Sequence, residues 1–398
     1  MVIKKLTKNC NIFIPRNMYS FFLILSQKNS LEDDNYILLN NHKTFIGSVK
    51  IFDDIIFFLK KKKFKIININ KNFLPQKSKD LSNIFMGKFL NFNSFKRNNY
   101  ISNEALKNRY EEFSSINFNN YRNVNIYYGS NMIYFNDLCK KFKNINLFFL
   151  EHGAGNFFSM ILENYFYKKD IKKFLKILIK SFILKVNGIF MDKDIFYFGI
   201  CGHFFNVKKL RYNYHNYKFL KFNFKKGFEE IFCFYKKRLN KLNKFQKINK
   251  NSYVFINIPN YYNLKVYKIF LDYIFEKENL KKNIFLIKTH LGINDKKYLD
   301  ILLKTIKLKK KKYYLVHESY NKIPAEIIIK YFKVKEIYSG FSSILFSSYF
   351  FNRIKKINFL SSKKLKTLKN RDELNNFSTH FIKDKFISKK LNYVDLDL

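Results

Sequence analysis

Apolar residues fall along the chain in two alternating rhythms. Short continuous apolar runs that end at Pro or Gly read as buried strands, and runs with apolar residues three or four apart read as helices. Asn11–Pro15 (NIFIP), Tyr36–Leu39, Phe64–Asn68, Val124–Tyr128 and Ile145–Leu150 (INLFFL) have the first pattern. Met18–Gln27 and Ser48–Lys61 have the second, and a polar, partly helical insert precedes Val124. The alternation resumes with strands at Tyr253–Ile258, Asn283–Lys288, Tyr313–Val316, Val334–Tyr338 and Ile354–Phe359. Between them lie helix-like runs at Leu264–Glu276, Lys296–Leu308, Ala325–Phe332 and Ser343–Phe351. Strands separated by helices predict βαβ units with parallel sheets, an α/β fold.

A Lys/Asn-rich stretch, Asn243–Asn251, interrupts the pattern and reads as a linker. The expected division is an N-terminal Rossmann-like domain over 1–242 with helical insertions, the linker 243–251, and a C-terminal Rossmann-like domain over 252–369. A tail, 370–398, is expected to pack back on the N-terminal domain. Asp170–Val186 puts bulky apolar residues on one helical face and Lys on the other. That suits a core-facing amphipathic helix, and it also suits a helix lying on an anionic membrane.

Composition narrows the function classes. The 398 residues carry 76 Lys+Arg against 30 Asp+Glu, a formal charge of +46, yet 47% are hydrophobic, including 49 Phe and 28 Tyr. Such a chain can bury a core and is no disordered polycation. Only eight of the basic residues are Arg, the residue best suited to base edges and bidentate phosphate contacts, so a specific nucleic-acid partner is not expected. Four Cys without a Cys-x-x-Cys pair form neither a disulfide framework nor a thiolate metal site. His203, His317 and His380 show no ligand spacing, and the Asp-x-Asp pairs at 192–194 and 395–397 read as surface residues, so no metal is expected. With no signal peptide and no run of ~18 apolar residues, the expected location is the cytoplasm, with peripheral contact to the inner membrane face as a further expectation.

With only 11 Gly in the chain, their places are informative. Gly129, Gly153, Gly155, Gly292 and Gly340 all follow predicted strands, at the sheet ends where open α/β folds bind ligands. Three segments there could carry chemistry. Glu151-His152-Gly153 follows INLFFL, and a carboxylate fixed against an apolar sheet can act as a base, the plainer alternative being a cap on the next helix. Lys288-Thr289-His290 ends NIFLIK, and a His there can give a proton to a departing phosphate or play a structural part. Ser339-Gly340-Phe341-Ser342-Ser343 opens a helix, where hydroxyls and backbone N–H groups can hold an anion or simply cap it. Pro15 and Asn17 after the first strand, and Ser130 and Asn131 after Gly129, are further cleft candidates that ordinary turn chemistry also explains.

Taken in order, these segments resemble the bacterial sialyltransferases and polysialyltransferases of GT-B fold. That family has an acidic-acidic-Gly motif, a Lys-x-His-Pro motif and a Ser-Ser motif, with a Pro-x-Glu segment ahead of the last. Here the counterparts are Glu151-His152-Gly153, Lys288-Thr289-His290-Leu291, Pro324-Ala325-Glu326 and Ser342-Ser343. The chain departs from the family at His152, where a second acid would stand, and at Leu291, where a Pro would.

The resemblance implies two Rossmann-like domains facing across a cleft. It implies an inverting, metal-independent transferase with Glu151 as general base and His290 as acid. Ser342 and Ser343 would hold the CMP phosphate and Glu326 the ribose, with Lys288 and Gly340 on the donor side. The co-substrate would be a CMP-activated sialic acid or related sugar acid, the acceptor a surface glycan or glycolipid, and no cofactor is implied. Two alternatives stay open: a GT-B transferase with a CDP-linked donor, and a non-enzymatic basic protein binding nucleic acid or anionic membrane.

Overall fold

A computed structural model of the chain describes residues 8–15, 20, 23–25, 33–40, 56–69, 115–129, 132–151, 153, 157–162, 171, 175, 193–205, 207–212, 215–219, 224–243, 253–258, 264–277, 280, 283–288, 295–316, 323–361 and 391–396. They form a mixed α/β protein with two sheets dominated by parallel strands, the class that the alternation predicts. The chain divides into two compact units. The first comprises Met1–Asn17, Asn29–Leu150 and Ser181–Phe196, and the second Met18–Lys28, Glu151–Lys180 and Tyr197–Leu398.

In the first unit, β1 (Asn9–Ile14), β2 (Asp34–Asn40), β3 (Phe64–Ile69), β4 (Asn123–Tyr128) and β5 (Ile145–Leu150) run parallel in the order β3-β2-β1-β4-β5. Their register is written in asparagine. Asn11 is paired with Asn35 and Asn125, and Asn125 with Asn146. The side chains bond along that row: Asn11 Nδ2 donates to Asn35 Oδ1 at 2.9 Å, Asn125 Nδ2 to Asn11 Oδ1 at 2.8 Å, and Asn146 Nδ2 to Asn125 Oδ1 at 3.0 Å. Two residues further along the same face, Phe13, Tyr127 and Phe148 stack with centroids 4.5 and 4.4 Å apart. A slip of one residue would turn both rows to the other face and leave buried amides unpaired, so the register is strongly specified.

At the opposite end from the Gly-bearing loops, Asp34 accepts hydrogen bonds from Lys8 at 3.1 Å and the Tyr121 hydroxyl at 2.9 Å, and pairs with Lys65 at 3.1 Å. Burial pushes the Asp34 carboxyl up, but the bonds from Lys65, Tyr121 and Lys8 outweigh it and hold the group below its ordinary 3.8. A depressed folded value means stabilisation that is complete above 3.8 and is lost as the pH falls on through the folded value. Both lysines are about half-exposed, so the expected contribution is only about 1 kcal/mol. Asp34→Asn should therefore lower unfolding free energy by about that amount at neutral pH, with the difference vanishing in strong acid. Urea titrations across pH check this.

β6 (Ile195–Phe198) begins in the first unit and ends in the second. The second unit continues with the antiparallel hairpin β7 (Lys209–Tyr212) and β8 (His215–Phe219) and the helix Lys225–Asn243. Its own sheet holds β9 (Tyr253–Asn257), β10 (Ile284–Ile287), β11 (Tyr313–Leu315), β12 (Glu336–Ser339), β13 (Lys356–Ser361) and β14 (Asn392–Asp395), all parallel. The order β11-β10-β9-β12-β13-β14 is the doubly wound dinucleotide-fold order. The helix Leu264–Glu276 buries Val266, Tyr267, Phe270, Leu271, Ile274 and Phe275, one continuous stripe, against this sheet and the helix Asp295–Leu308.

The described part of the C-terminal tail, 391–396, adds the edge strand β14 to the second sheet. Leu391 is buried, Val394 and Leu396 pack on the second unit's core, and Asn392 Nδ2 bonds Asn358 Oδ1 at 3.2 Å. Glycine scarcity shows at chain turns: Lys63, Lys310, Lys333 and Arg353 take left-handed φ of 50–61° where glycine is usual. Lys310, Lys333 and Arg353 follow helix C-termini, where a cation suits the dipole.

Candidate active site

The second sheet changes winding direction between β9 and β12, and such switch points are where open α/β sheets hold ligands. There the strand ends are locked together. Asn257 Nδ2 donates to Ser339 Oγ at 3.0 Å, Ser339 Oγ reaches Asn257 O at 2.9 Å, and the Gly340 N–H donates to Asn257 O at 3.2 Å. Ser339 is wholly buried, while Ser342 and Ser343, three and four residues later, are partly buried. Ser342 Oγ accepts the Ile344 N–H at 3.4 Å, and Ser343 sits at the N-cap of the helix Ile344–Asn352 without a side-chain capping bond. Of the two cap readings, Ser342 fits in part and Ser343 does not.

Glu326 opens the helix Ala325–Tyr331 and is buried. Its carboxylate accepts from Ser347 Oγ at 2.6 Å, which ties it to the helix that the serine pair begins, and Asn352 Nδ2 donates to its carbonyl at 3.2 Å. Burial raises the Glu326 carboxyl, opposed by the Ser347 hydrogen bond and the positive charge of Lys288. Lys288, at the end of β10, is pushed down by burial to about 8, with the Glu326 charge working the other way. Lys288, Glu326, Gly340, Ser342 and Ser343 thus belong to one end of one sheet. The helix Lys225–Asn243 braces them from behind: Lys330 pairs with Glu229, the Tyr331 hydroxyl donates to Leu239 O at 3.0 Å, and Phe228 stacks on Phe351 at 4.5 Å.

Glu151 follows β5 and has no solvent exposure. Its Oε2 accepts from the Tyr197 hydroxyl at 2.6 Å and from the Cys201 N–H at 3.0 Å, and its own N–H donates to Phe198 O at 3.0 Å. Burial and this carboxylate push the Cys201 thiol well above its ordinary 9.0. Gly199 is required here, because a Cβ on it would lie 2.1 Å from Glu151 Oε2 and 2.5 Å from Glu151 Cβ. Gly153 has φ +151°, a conformation open to glycine, and a Cβ there would meet nothing within 4 Å.

Within the second unit, aromatic rings join the two clusters. Tyr197 packs edge-on to Phe157 at 6.1 Å, Phe157 to Phe158 at 5.5 Å, and Phe158 to Phe341 of the Gly340–Ser343 turn at 4.9 Å. Phe346, on the serine-pair helix, adds contacts to Phe204 and Phe205 at 5.1 Å each.

His290, His152, Ser130, Asn131 and Asn17 lie outside the described residues, as does 170–186 apart from Ile171 and Leu175. Pro15 is buried at the end of β1, and Gly129 ends the neighbouring β4, so both mark the switch point of the first sheet. Tyr197, Gly199, Cys201, Asn257 and Ser347 were not singled out by sequence. Gly199 had a usable signal, since it follows the apolar run IFYF as Gly129 follows VNIYY. Among the described residues no group of three His, Cys, Asp or Glu could hold a metal, and no helix is long and apolar enough to cross a membrane.

No family profile matches the sequence, and no curated protein is similar to it. Solved structures with a similar course include a sialyltransferase from Photobacterium damsela (12% identity over 98% of this chain and 82% of that one, TM-score 0.47). A UDP-GlcNAc 2-epimerase from Neisseria meningitidis (13%, 96% and 92%, 0.45) and the UGT2 of Phytolacca americana (7%, 99% and 86%, 0.47) are others. Likeness at this level assigns no residue a role, and the functional reading rests on this chain's own side chains.

Proposed function

We propose that this chain is an inverting, metal-independent glycosyltransferase that moves sialic acid or a related sugar acid from a CMP-activated donor to a glycan. The observation that carries the proposal is the joining, in one compact unit, of the anchored Glu151 carboxylate to the switch-point turn Gly340–Ser343 through Phe158 and Phe341. The order of the motifs along the chain supports the sialyltransferase type and the CMP donor.

In this reading the acceptor hydroxyl enters over Gly153, where there is open space. Glu151 takes its proton as the oxygen bonds to the anomeric carbon. The opposite bond, from that carbon to the phosphate oxygen, breaks through an oxocarbenium-like state, and CMP leaves with the bonding pair. Ser342, Ser343 and nearby backbone N–H groups receive the phosphate charge, Lys288 adds a cation, and His290 supplies a proton. Tyr197 and Cys201 fix the base by bonding one carboxylate oxygen, which leaves its orientation set before substrate arrives. Reaction on the cytoplasmic side, where nucleotide sugars are made, and a glycan or glycolipid acceptor complete the proposal.

Thermal-shift measurements with CMP, CDP, UMP and UDP test the donor, because a ligand that binds only the folded state raises the melting temperature. CMP is expected to give a clear rise. The Lys288 cation is lost as pH rises through about 8, so the CMP shift should fade above that pH. Lys288→Arg, whose guanidinium stays charged, should keep the shift at higher pH. A larger response to CDP would move the donor to the CDP-linked class, and no response to any nucleotide would remove the transferase reading.

A further inference from the structure

The helix Asp295–Leu308 ends in a run of lysines on the edge of the second sheet. Lys304, Lys307, Lys309, Lys310 and Lys312 are exposed. Among them stands Leu308, 72% exposed, with Tyr313 at 38% on the edge strand β11. The backbone holds this group in one shape: the Lys309, Lys310 and Lys311 N–H groups donate to Thr305, Lys307 and Ile306 carbonyls at 3.0, 3.0 and 3.1 Å, and Lys310 takes φ 50°. A shallow groove of about 380 Å³ lies alongside, lined by Asp300, Leu303, Lys304, Lys307 and Leu308. The acidic groups here are Asp300, Asp272, whose charge acts on Lys309, and Glu276, paired with Lys309 at 2.8 Å.

We propose that this patch docks the protein on a bilayer surface carrying anionic phospholipid. Lysines beside an edge strand also discourage strand addition, but that role gives no reason for a leucine to stand outward among them. A polyanion such as duplex DNA would use the cations and gain nothing from Leu308, and the patch contains no arginine to grip phosphate bidentately. A headgroup layer uses both: lysine ammonium groups meet the phosphates while Leu308 and Tyr313 enter the interface above the acyl chains. The lysine stems can lie along the apolar side chains with their charges outward. The proposal goes beyond the transferase reading and does not rest on it, since binding is measured without substrate.

Co-sedimentation of the full chain with phosphatidylcholine vesicles, with and without phosphatidylserine, tests it at physiological ionic strength. Binding is expected only with phosphatidylserine. Each lysine near such a surface is worth about a fivefold gain in partitioning. Reversing three, Lys307→Glu with Lys310→Glu and Lys312→Glu, should therefore reduce binding by at least about a hundredfold. Leu308→Ser should weaken it severalfold at unchanged charge. A charge-matched control, Lys60→Glu with Lys61→Glu and Lys63→Glu, should bind nearly as wild type. Equal loss in the control would mean that net charge alone is responsible and would overturn the patch. Unchanged binding by Leu308→Ser, with duplex DNA lost in parallel by the triple reversal, would make it a polyanion site and overturn the lipid assignment.

Discussion

Replacing Glu151 with Gln is expected to lower transfer by about 10²- to 10⁴-fold, the range for loss of a positioned base, while the protein unfolds near the wild-type midpoint. The reason lies in how the carboxylate is held. Tyr197 and Cys201 both donate to the same oxygen, Oε2. A glutamine carbonyl can accept both bonds in its place, so the anchor survives and only the ability to take a proton is lost. Glu151→Ala is a different experiment. It strands a buried hydroxyl and a buried N–H, at about 1–3 kcal/mol for each group left unsatisfied. Turnover and urea unfolding measured on both variants separate chemistry from structure. Near-normal turnover in the Gln variant would make Glu151 an architectural carboxylate and remove it as the base.

Gly199→Ala is expected to destabilise the second unit by about 3 kcal/mol, the upper part of the range for an overpacked core, and to abolish activity with it. The added methyl would collide with Glu151 Oε2 at 2.1 Å, Glu151 Cβ at 2.5 Å and Tyr197 Cε1 at 2.7 Å. Two of these atoms could swing away if the side chains were free. The Cβ of Glu151 cannot, because it moves only with a backbone whose N–H is bonded to Phe198 O. Relief must therefore come from separating β5 from the residues after β6, which breaks the Tyr197 and Cys201 contacts together. Denaturant unfolding of the variant reads the loss, and a change within about 0.5 kcal/mol of wild type, the ordinary scatter of harmless substitutions, would contradict the packing described here.

Most of the sheet was legible because parallel strands buried on both faces read as unbroken apolar runs. INLFFL was bounded at Ile145–Leu150, as observed, and the helix Leu264–Glu276 was bounded as observed from its apolar stripe alone. The misses have two causes. β6 is four residues long, the hairpin β7–β8 (KLRY and HNYKF) has no Gly or Pro at its turn, and β14 (NYVD) is a polar edge strand. The hairpin and β14 lack the punctuation that marks a strand locally, whereas β6 carried it in Gly199 but stands apart from the strand–helix alternation. For β12 the expected start at Val334 was two residues early, since Lys333 in a left-handed conformation and Val334 still belong to the preceding helix end. The site divides the same way. Glu151, Lys288 and the serine pair became candidates because each follows a strand or opens a helix, and Glu326 only because Pro324-Ala325-Glu326 resembles a family segment. Tyr197, Cys201 and Ser347 earn their places only through bonds across the fold, between residues 46, 50 and 21 positions apart.

The asparagine row of the first sheet also sets an order of events in synthesis. Asn9 and Asn11 in β1 bond to Asn123 and Asn125, partners 114 residues later in the chain. A growing polypeptide can join β1 to β2 early, but the central strand lacks its other neighbour until residue 125 has left the ribosome, and the row is not closed until Asn146 follows. Such distant pairings close slowly, and until then the amides of β1 must stay hydrated or shielded by a chaperone.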